Sequence, residues 1–248
     1  MKRLAALALT AALAAPVFAT DLLVPAYFYP GGKKNFWPQL AAGAAQAPVM
    51  AILNPASGPG SVTDPNYTAA VTALRSAGGK VIGYVSSSYT NRSIGDVTTD
   101  INKYVAMYPV DGFFIDEMTN DADSGHLSYY QSVYNYIKSL NAAYFVVGNP
   151  GTNTQEAYAS LPVADQLVVF EGSDKSYAKY VPAAWQSGYA NGRFAHIVYG
   201  ASKGAMGRHV AQAAARGAGA IFVNADKLPN PYDTLPGYWP DEVKAATP

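Results

Sequence analysis

No cysteine occurs anywhere in the 248 residues. Disulfides and thiolate metal centres are thereby excluded, so an exported chain of this kind must rely on its core. Charge is also scarce: 14% of residues are charged against 50% hydrophobic, and the formal net charge is zero. That balance permits a large core and argues against disorder. There is no basic stripe, so a nucleic-acid partner is not expected. Histidine occurs only at His126, His196 and His209, far apart in sequence. A cluster of Asp116, Glu117, Asp226 and a histidine would lack any recognised ligand spacing, so no metal is expected. A glycine-rich phosphate loop after the first strand-like run is missing too. Gly200-Ala201-Ser202-Lys203-Gly204 lacks the Walker pattern and reads as an ordinary strand-to-helix loop. No cofactor is expected.

What is present starts with an export signal. Lys2 and Arg3 precede an apolar run from Leu4 to Ala15, and Val17-Phe18-Ala19 offers a small-residue cleavage site. Residues 1–19 therefore read as a signal peptide, with the mature protein secreted or periplasmic. The run is too short to span a bilayer comfortably, and no later stretch could do so. Removing it takes away two basic residues and leaves a mildly acidic chain. Asn66-Tyr67-Thr68 and Asn91-Arg92-Ser93 match the short glycosylation sequon.

The remainder, residues 20–248, alternates between two kinds of segment. Strand-like apolar runs fall at 22–29, 49–53, 80–86, 112–116, 144–148, 166–170, 194–199 and 220–223. Helix-compatible stretches fall at 37–47, 66–77, 94–108, 128–140, 154–160, 177–186, 205–216 and 241–246. Ile94, Val97, Ile101, Tyr104 and Val105 show the helical spacing well. Such alternation predicts a parallel sheet with crossover helices. Eight units without a linker predict one α/β domain, a single (β/α)8 TIM-type barrel, expected as a monomer. An open doubly wound sheet is the alternative.

The chemistry gathers around Asp111-Gly112-Phe113-Phe114-Ile115-Asp116-Glu117. A short apolar run that ends in two acids places charge at the mouth of a core, where it can be solvated or paired. Strand period sends Asp116 and Glu117 to opposite faces while the strand stays regular, so one should do chemistry and the other support it. The bland reading is an Asp capping the next helix beside a solvated Glu.

In a barrel the active site lies at the C-terminal ends of the strands. Those ends supply Tyr27 and Tyr29 (expected on one face), then Asn54, then Tyr84 and Ser86 with Tyr89 and Arg92 in the loop beyond. Asp116 and Glu117 follow, then Asn149, Glu171, Tyr199, Asn224 and Asp226. Loops after strands are commonly polar, which accounts for the asparagines. It accounts less well for the fourth and sixth strands both ending in acid after unbroken apolar runs. Paired carboxylates suit glycoside hydrolysis, one protonating the leaving oxygen while the other attacks the anomeric carbon or activates water. Tyrosine, 19 residues in all, offers flat faces for stacking on sugar rings. Tyr27 and Tyr84 are the favoured platforms, whereas Trp37, Trp185 and Trp239 read as core.

The chain resembles the spherulin-4 family, which includes glycoside hydrolase family 135. The matching stretches are Tyr27-Phe28-Tyr29-Pro30, Asn54-Pro55-Ala56-Ser57-Gly58-Pro59-Gly60, Gly83-Tyr84-Val85 with Tyr89 and Arg92, Asp111–Glu117, and Phe170-Glu171. The resemblance implies a (β/α)8 barrel that makes internal cuts in α-1,4-linked galactosamine or N-acetylgalactosamine polymers. It maps the acidic site onto Asp116, Glu117 and Glu171, with Asp116 as nucleophile, Glu171 as acid/base, and Glu117 orienting the site or tuning its charge. Tyr27, Tyr29, Asn54, Tyr84, Tyr89, Arg92, Asn149, Tyr199 and Asn224 are the candidates for contacting a polysaccharide substrate. A non-catalytic carbohydrate-binding or surface-coat protein, or a hydrolase of another α-linked glycan, are the alternatives.

Overall fold

The computed structural model describes residues 20–247. The expected signal peptide, residues 1–19, lies outside them. Eight strands close in sequence order into a barrel, and every neighbouring pair is parallel. The order is β1 (Asp21–Ala26), α1 (Trp37–Ala44), β2 (Val49–Leu53), α2 (Pro65–Ser76), β3 (Lys80–Ser86), α3 (Ile94–Met107), β4 (Gly112–Asp116), α4 (Ser124–Leu140) and β5 (Phe145–Gly148). Then come α5 (Ala157–Ser160), β6 (Gln166–Ser173), α6 (Asp174–Tyr177), β7 (Phe194–Tyr199), α7 (Lys203–Ala215), β8 (Ala220–Val223) and α8 (Trp239–Ala246). The expected (β/α)8 barrel is therefore present. No described helix is long and apolar enough to cross a membrane.

Local chemistry sets the element ends. Asp64 accepts from the Asn66 N–H and starts α2, with Pro65 at its first position. Ser93 and Ser202 cap α3 and α7 in the same way. Asp123 accepts from Gly125 and His126, so α4 starts at Ser124, earlier than the expected 128. Its buried stripe of Leu127, Tyr130, Val133 and Ile137 follows helical spacing. Each fully buried aliphatic side chain there contributes roughly 1.5–3 kcal/mol. An aspartate at Val133 would reverse that contribution and strand a charge against the barrel.

Three further expectations needed adjustment. The first strand ends at Ala26 rather than Tyr29. The stretch 177–186 is not a helix: α6 stops at Tyr177, and a 3-10 turn covers Ala184–Gly188, with Pro182 breaking the interval. The sixth strand does not end in acid. It continues past Glu171 to Ser173, with a register shift between Val168 and Phe170. The tryptophans pack as expected, Trp37 and Trp239 buried and Trp185 against the core. His196 is also core: burial lowers it to about 3, and its Nδ1 meets the Tyr177 hydroxyl at 2.9 Å. Among the described residues no cluster could hold a metal ion.

Candidate active site

β4 decides where the site forms. Phe113 packs against Tyr104 of α3, while Phe114 stacks on Tyr84 with ring centres 6.3 Å apart. Alternation thus points Phe113 to the helix layer and Phe114 and Asp116 into the barrel. Regular strand geometry would send Glu117 outwards. Instead Glu117 has φ 55°, in the left-handed region, and its side chain joins Asp116 in the same cleft. The backbone is held in this turn from the β3 side. Ser87 Oγ lies 2.9 and 2.8 Å from the Asp116 and Glu117 carbonyls, and the Tyr89 N–H donates to the Glu117 carbonyl at 2.8 Å. Ser88, Tyr89 and Thr90 also have φ of 47°, 53° and 70°. Non-glycine residues in this region cost of order 1–3 kcal/mol each and persist only where surrounding contacts impose them. The Ser86 hydroxyl donates to Glu117 Oε2 and fixes its direction.

The acids of β4 and β6 meet across β5. Asn149, just past the end of β5, donates through one Nδ2 to Asp116 Oδ1 at 2.8 Å and to Glu171 Oε2 at 2.7 Å. Its own Oδ1 is buried without a partner. Gly151 folds over Glu171: it accepts the Glu171 N–H at 2.8 Å and donates to the Val168 carbonyl at 3.1 Å. Its φ is 66°, and an added Cβ would stand 3.5 Å from Glu171 Cβ. The positive φ is what calls for glycine here, since a Cβ at that distance would make only ordinary contact. The other Glu171 oxygen, Oε1, accepts from the Tyr232 hydroxyl at 2.6 Å.

The cleft encloses about 430 Å³ and is lined by Tyr89, Asp116, Glu117, Asn149, Pro150, Gly151, Glu171, Tyr199 and Leu228. No cationic side chain is among them. Its size suits a small-molecule or sugar site. A more apolar groove of about 330 Å³ lies on the flank between α1 and α8 and contains no acid.

Electrostatics separate the groups. Burial raises the Asp116 carboxyl to about 6, the neighbouring charge of Glu171 adds to the rise, and the Tyr84 hydroxyl, Glu117 N–H and Asn149 amide act the other way. Burial first, then carboxylate charge, pushes the phenols of Tyr27, Tyr84 and Tyr232 well up, so they remain protonated. Tyr27 stands edge-on to both Tyr84 and Tyr232, with ring centres 5.7 Å away in each case. The three rings form a phenolic wall from the Asp116 side to the Glu171 side.

The expected site residues divide into two groups. Asp116, Glu117, Glu171, Asn149, Tyr89 and Tyr199 line the cleft, with Tyr27 and Tyr84 behind it. Tyr29, Asn54, Arg92 and Asn224 instead hold loops. Because β1 stops at Ala26, Tyr27 and Tyr29 do not share a face: Tyr29 bonds Asp64 and Asn66 and packs edge-on to Tyr67. Asn54 Oδ1 accepts from the Gly58 N–H within its own loop. Arg92 bonds the Ser86 carbonyl and pairs with Asp100 at 2.7 Å. Asn224, fully buried, donates to the Pro231 and Thr234 carbonyls. Sequence reasoning missed Tyr232, Gly151 and Leu228. The only available signal was that Leu228 and Tyr232 belong to the loop after the last strand, at the same rim.

Comparisons with known proteins agree with this architecture. Spherulin-4 of Physarum polycephalum is 37% identical over 195 residues, covering 75% of this chain and 57% of that protein. The chain thus spans little more than half the length of the curated relative it matches. Aspergillus clavatus Sph3 in complex with GalNAc superposes with a TM-score of 0.80 at 25% identity, covering 92% of this chain and 97% of Sph3. A cyclic alpha-maltosyl-(1-->6)-maltose hydrolase from Arthrobacter globiformis shares the fold alone, with a TM-score of 0.57 at 8% identity over 93% of this chain and 75% of that one. The model of Spherulation-specific family 4 matches residues 21–246, and the chain belongs to that family.

Proposed function

We propose that this protein is a secreted glycoside hydrolase that cuts within α-1,4-linked galactosamine or N-acetylgalactosamine polymers. The observation that carries the reading is the single Asn149 amide donating to both Asp116 and Glu171. The two bridged oxygens can be no farther apart than the sum of those bonds. That closeness lets both carboxyls reach one glycosidic bond, as a two-carboxylate mechanism requires. The sugar bound to the structurally similar Sph3 supports the choice of amino sugar.

In this mechanism Asp116 Oδ attacks the anomeric carbon and forms a glycosyl ester. Glu171 gives its proton to the departing glycosidic oxygen. Glu171, now a carboxylate, takes a proton from water, whose oxygen breaks the ester and frees Asp116. Asp116 must be ionised to attack, so its value of about 6 sets a rise in activity with pH through that region. Glu117 remains outside the bridged pair. It orients the site and adds negative charge, which also draws in any free amines on the polymer. Tyr89 and Tyr199 supply aromatic faces and hydroxyls to the sugar rings, and Tyr27 and Tyr84 back the wall behind the acids.

The test is product release from partly deacetylated α-1,4-galactosaminan by wild type beside Asp116→Asn and Glu171→Gln. Oligosaccharides from wild type, with turnover lowered by orders of magnitude in both variants, are expected. Polymer binding without release by wild type would overturn the hydrolase reading. Full activity in either variant would overturn that residue's role.

A further inference from the structure

Glu171 accepts at both oxygens, from two donors of different origin. Asn149 stands on the strand between the two acids, so its bond follows from the barrel itself. Tyr232 comes from the loop after β8, 61 residues away in sequence, and donates to Oε1 at 2.6 Å. The loop is fastened so that this hydroxyl cannot wander. Asn224, at the end of β8 and fully buried, donates to the carbonyls on either side of Tyr232, Pro231 at 2.5 Å and Thr234 at 3.3 Å. The Tyr232 carbonyl accepts from the Tyr27 N–H at 3.2 Å, and its ring lies edge-on to Tyr27. Tyr232 is only 8% exposed.

We propose that Tyr232 is a positioning residue for Glu171, with Asn224 mooring the loop that presents it. The inference rests on the reading of Glu171 as acid/base. The hydroxyl holds Oε1 while Asn149 holds Oε2, so the carboxyl plane is fixed from both sides and its proton takes the position left open to the cleft. A donor to the charged form favours that form. It therefore also governs how readily Glu171 gives up its proton and takes one back. The other titratable groups facing Glu171 or sharing its cleft are Asp116, Glu117, Tyr27, Tyr84, Tyr89 and Tyr199. None of these is bonded to Oε1, so removing the Tyr232 hydroxyl leaves that oxygen without its donor.

Two variants test this in the full mature chain. Tyr232→Phe keeps the ring and loses the donor, and 3,5-difluorotyrosine at position 232 keeps the shape and donates more strongly. The ¹³C chemical shift of the Glu171 carboxyl, followed against pH, should move its midpoint up by about one pH unit in the first and down in the second. On the galactosaminan polymer kcat/KM should fall about tenfold or more in Tyr232→Phe. On an oligosaccharide with a dinitrophenyl leaving group, which departs without a proton, the loss should stay within about threefold. Midpoints that stay in place in both variants would overturn the proposal, as would equal losses on both substrates. Should wild type cut neither substrate, the hydrolase reading fails, and the titration alone decides whether Tyr232 holds Glu171.

Discussion

Asp116→Asn should make this protein more stable at neutral pH while removing its turnover. Asp116 carries a value of about 6 in the folded chain against 3.8 ordinarily, mainly through burial and then through Glu171. At about 1.4 kcal/mol per pH unit, keeping it ionised in place costs on the order of 3 kcal/mol. Between pH 3.8 and about 6 the folded protein binds more protons than the unfolded one, so stability falls as pH rises through that interval. The full cost is felt above it. Asparagine keeps the shape and an oxygen for Asn149, and cannot ionise. At pH 4 and below, the aspartic acid is neutral too, so variant and wild type should agree closely.

The assay is thermal or urea unfolding of both proteins at pH 4 and pH 8. For a chain of this length about 3 kcal/mol corresponds to roughly 6–12 °C in Tm. The variant should gain that margin at pH 8 and lose most of it at pH 4. A variant less stable than wild type at pH 8 would refute the reasoning, and so would a margin that does not change with pH. Either result would mean that Asp116 is solvated well enough to ionise freely, and the burial argument for its chemistry would fall.

Two other predictions concern residues outside the acid pair. Glu242 is fully buried, burial pushes its carboxyl well up, Oε1 accepts the Val223 N–H at 2.7 Å, and Oε2 has no partner. It is therefore neutral at ordinary pH. Glu242→Gln should stay within about 1 kcal/mol of wild type in urea unfolding, whereas Glu242→Ala should cost roughly 2–4 kcal/mol by opening a void and orphaning Val223. Tyr29 is half exposed and bonded to Asp64 and Asn66 rather than to the acids. Tyr29→Phe should cost under about 1 kcal/mol and leave kcat within twofold, and a large kcat loss would place Tyr29 in the cleft after all.

The barrel was legible because its signals are local. A short apolar run and a turn repeat eight times, most of them followed by a helix with a periodic stripe, and each such unit declares itself within about 30 residues. Asp116 was legible for the same reason: its face follows from Phe113 and Phe114 by simple alternation. Glu117 was not, because alternation applies only while the strand stays regular, and it stops being regular at that residue. Nothing in Asp116-Glu117-Met118 encodes φ 55°. The contacts that hold it come from Ser87 and Tyr89, on the loop of the neighbouring strand. Polar residues at strand ends were legible as a rim, but not sorted by task. Asn149 and Asn224 occupy equivalent places after β5 and β8. One faces the acids, and the other ties down a loop. That distinction depends on whether the following loop turns over the mouth or away from it, and loop course is set by long-range packing.

This division between the two asparagines explains why the acid pair can exist at all. Two carboxylates close together on strands flanking a third repel one another, and the barrel cannot move them apart without breaking its ladder. A donor must therefore stand on the intervening strand, and Asn149 does, with one nitrogen serving both acids. The remaining oxygen of Glu171 faces the other side, where no strand offers a donor, so the chain reaches it from the last loop with Tyr232. Asp116 has Tyr84 beside it on the adjoining strand and needs no such reach. The two acids are thus supported unequally: Asp116 by the rigid sheet, Glu171 partly by a moored loop. A nucleophile must hold a fixed distance to one carbon. An acid/base must exchange its proton twice in each cycle, and the donor best placed to bias that exchange is one the sheet does not dictate.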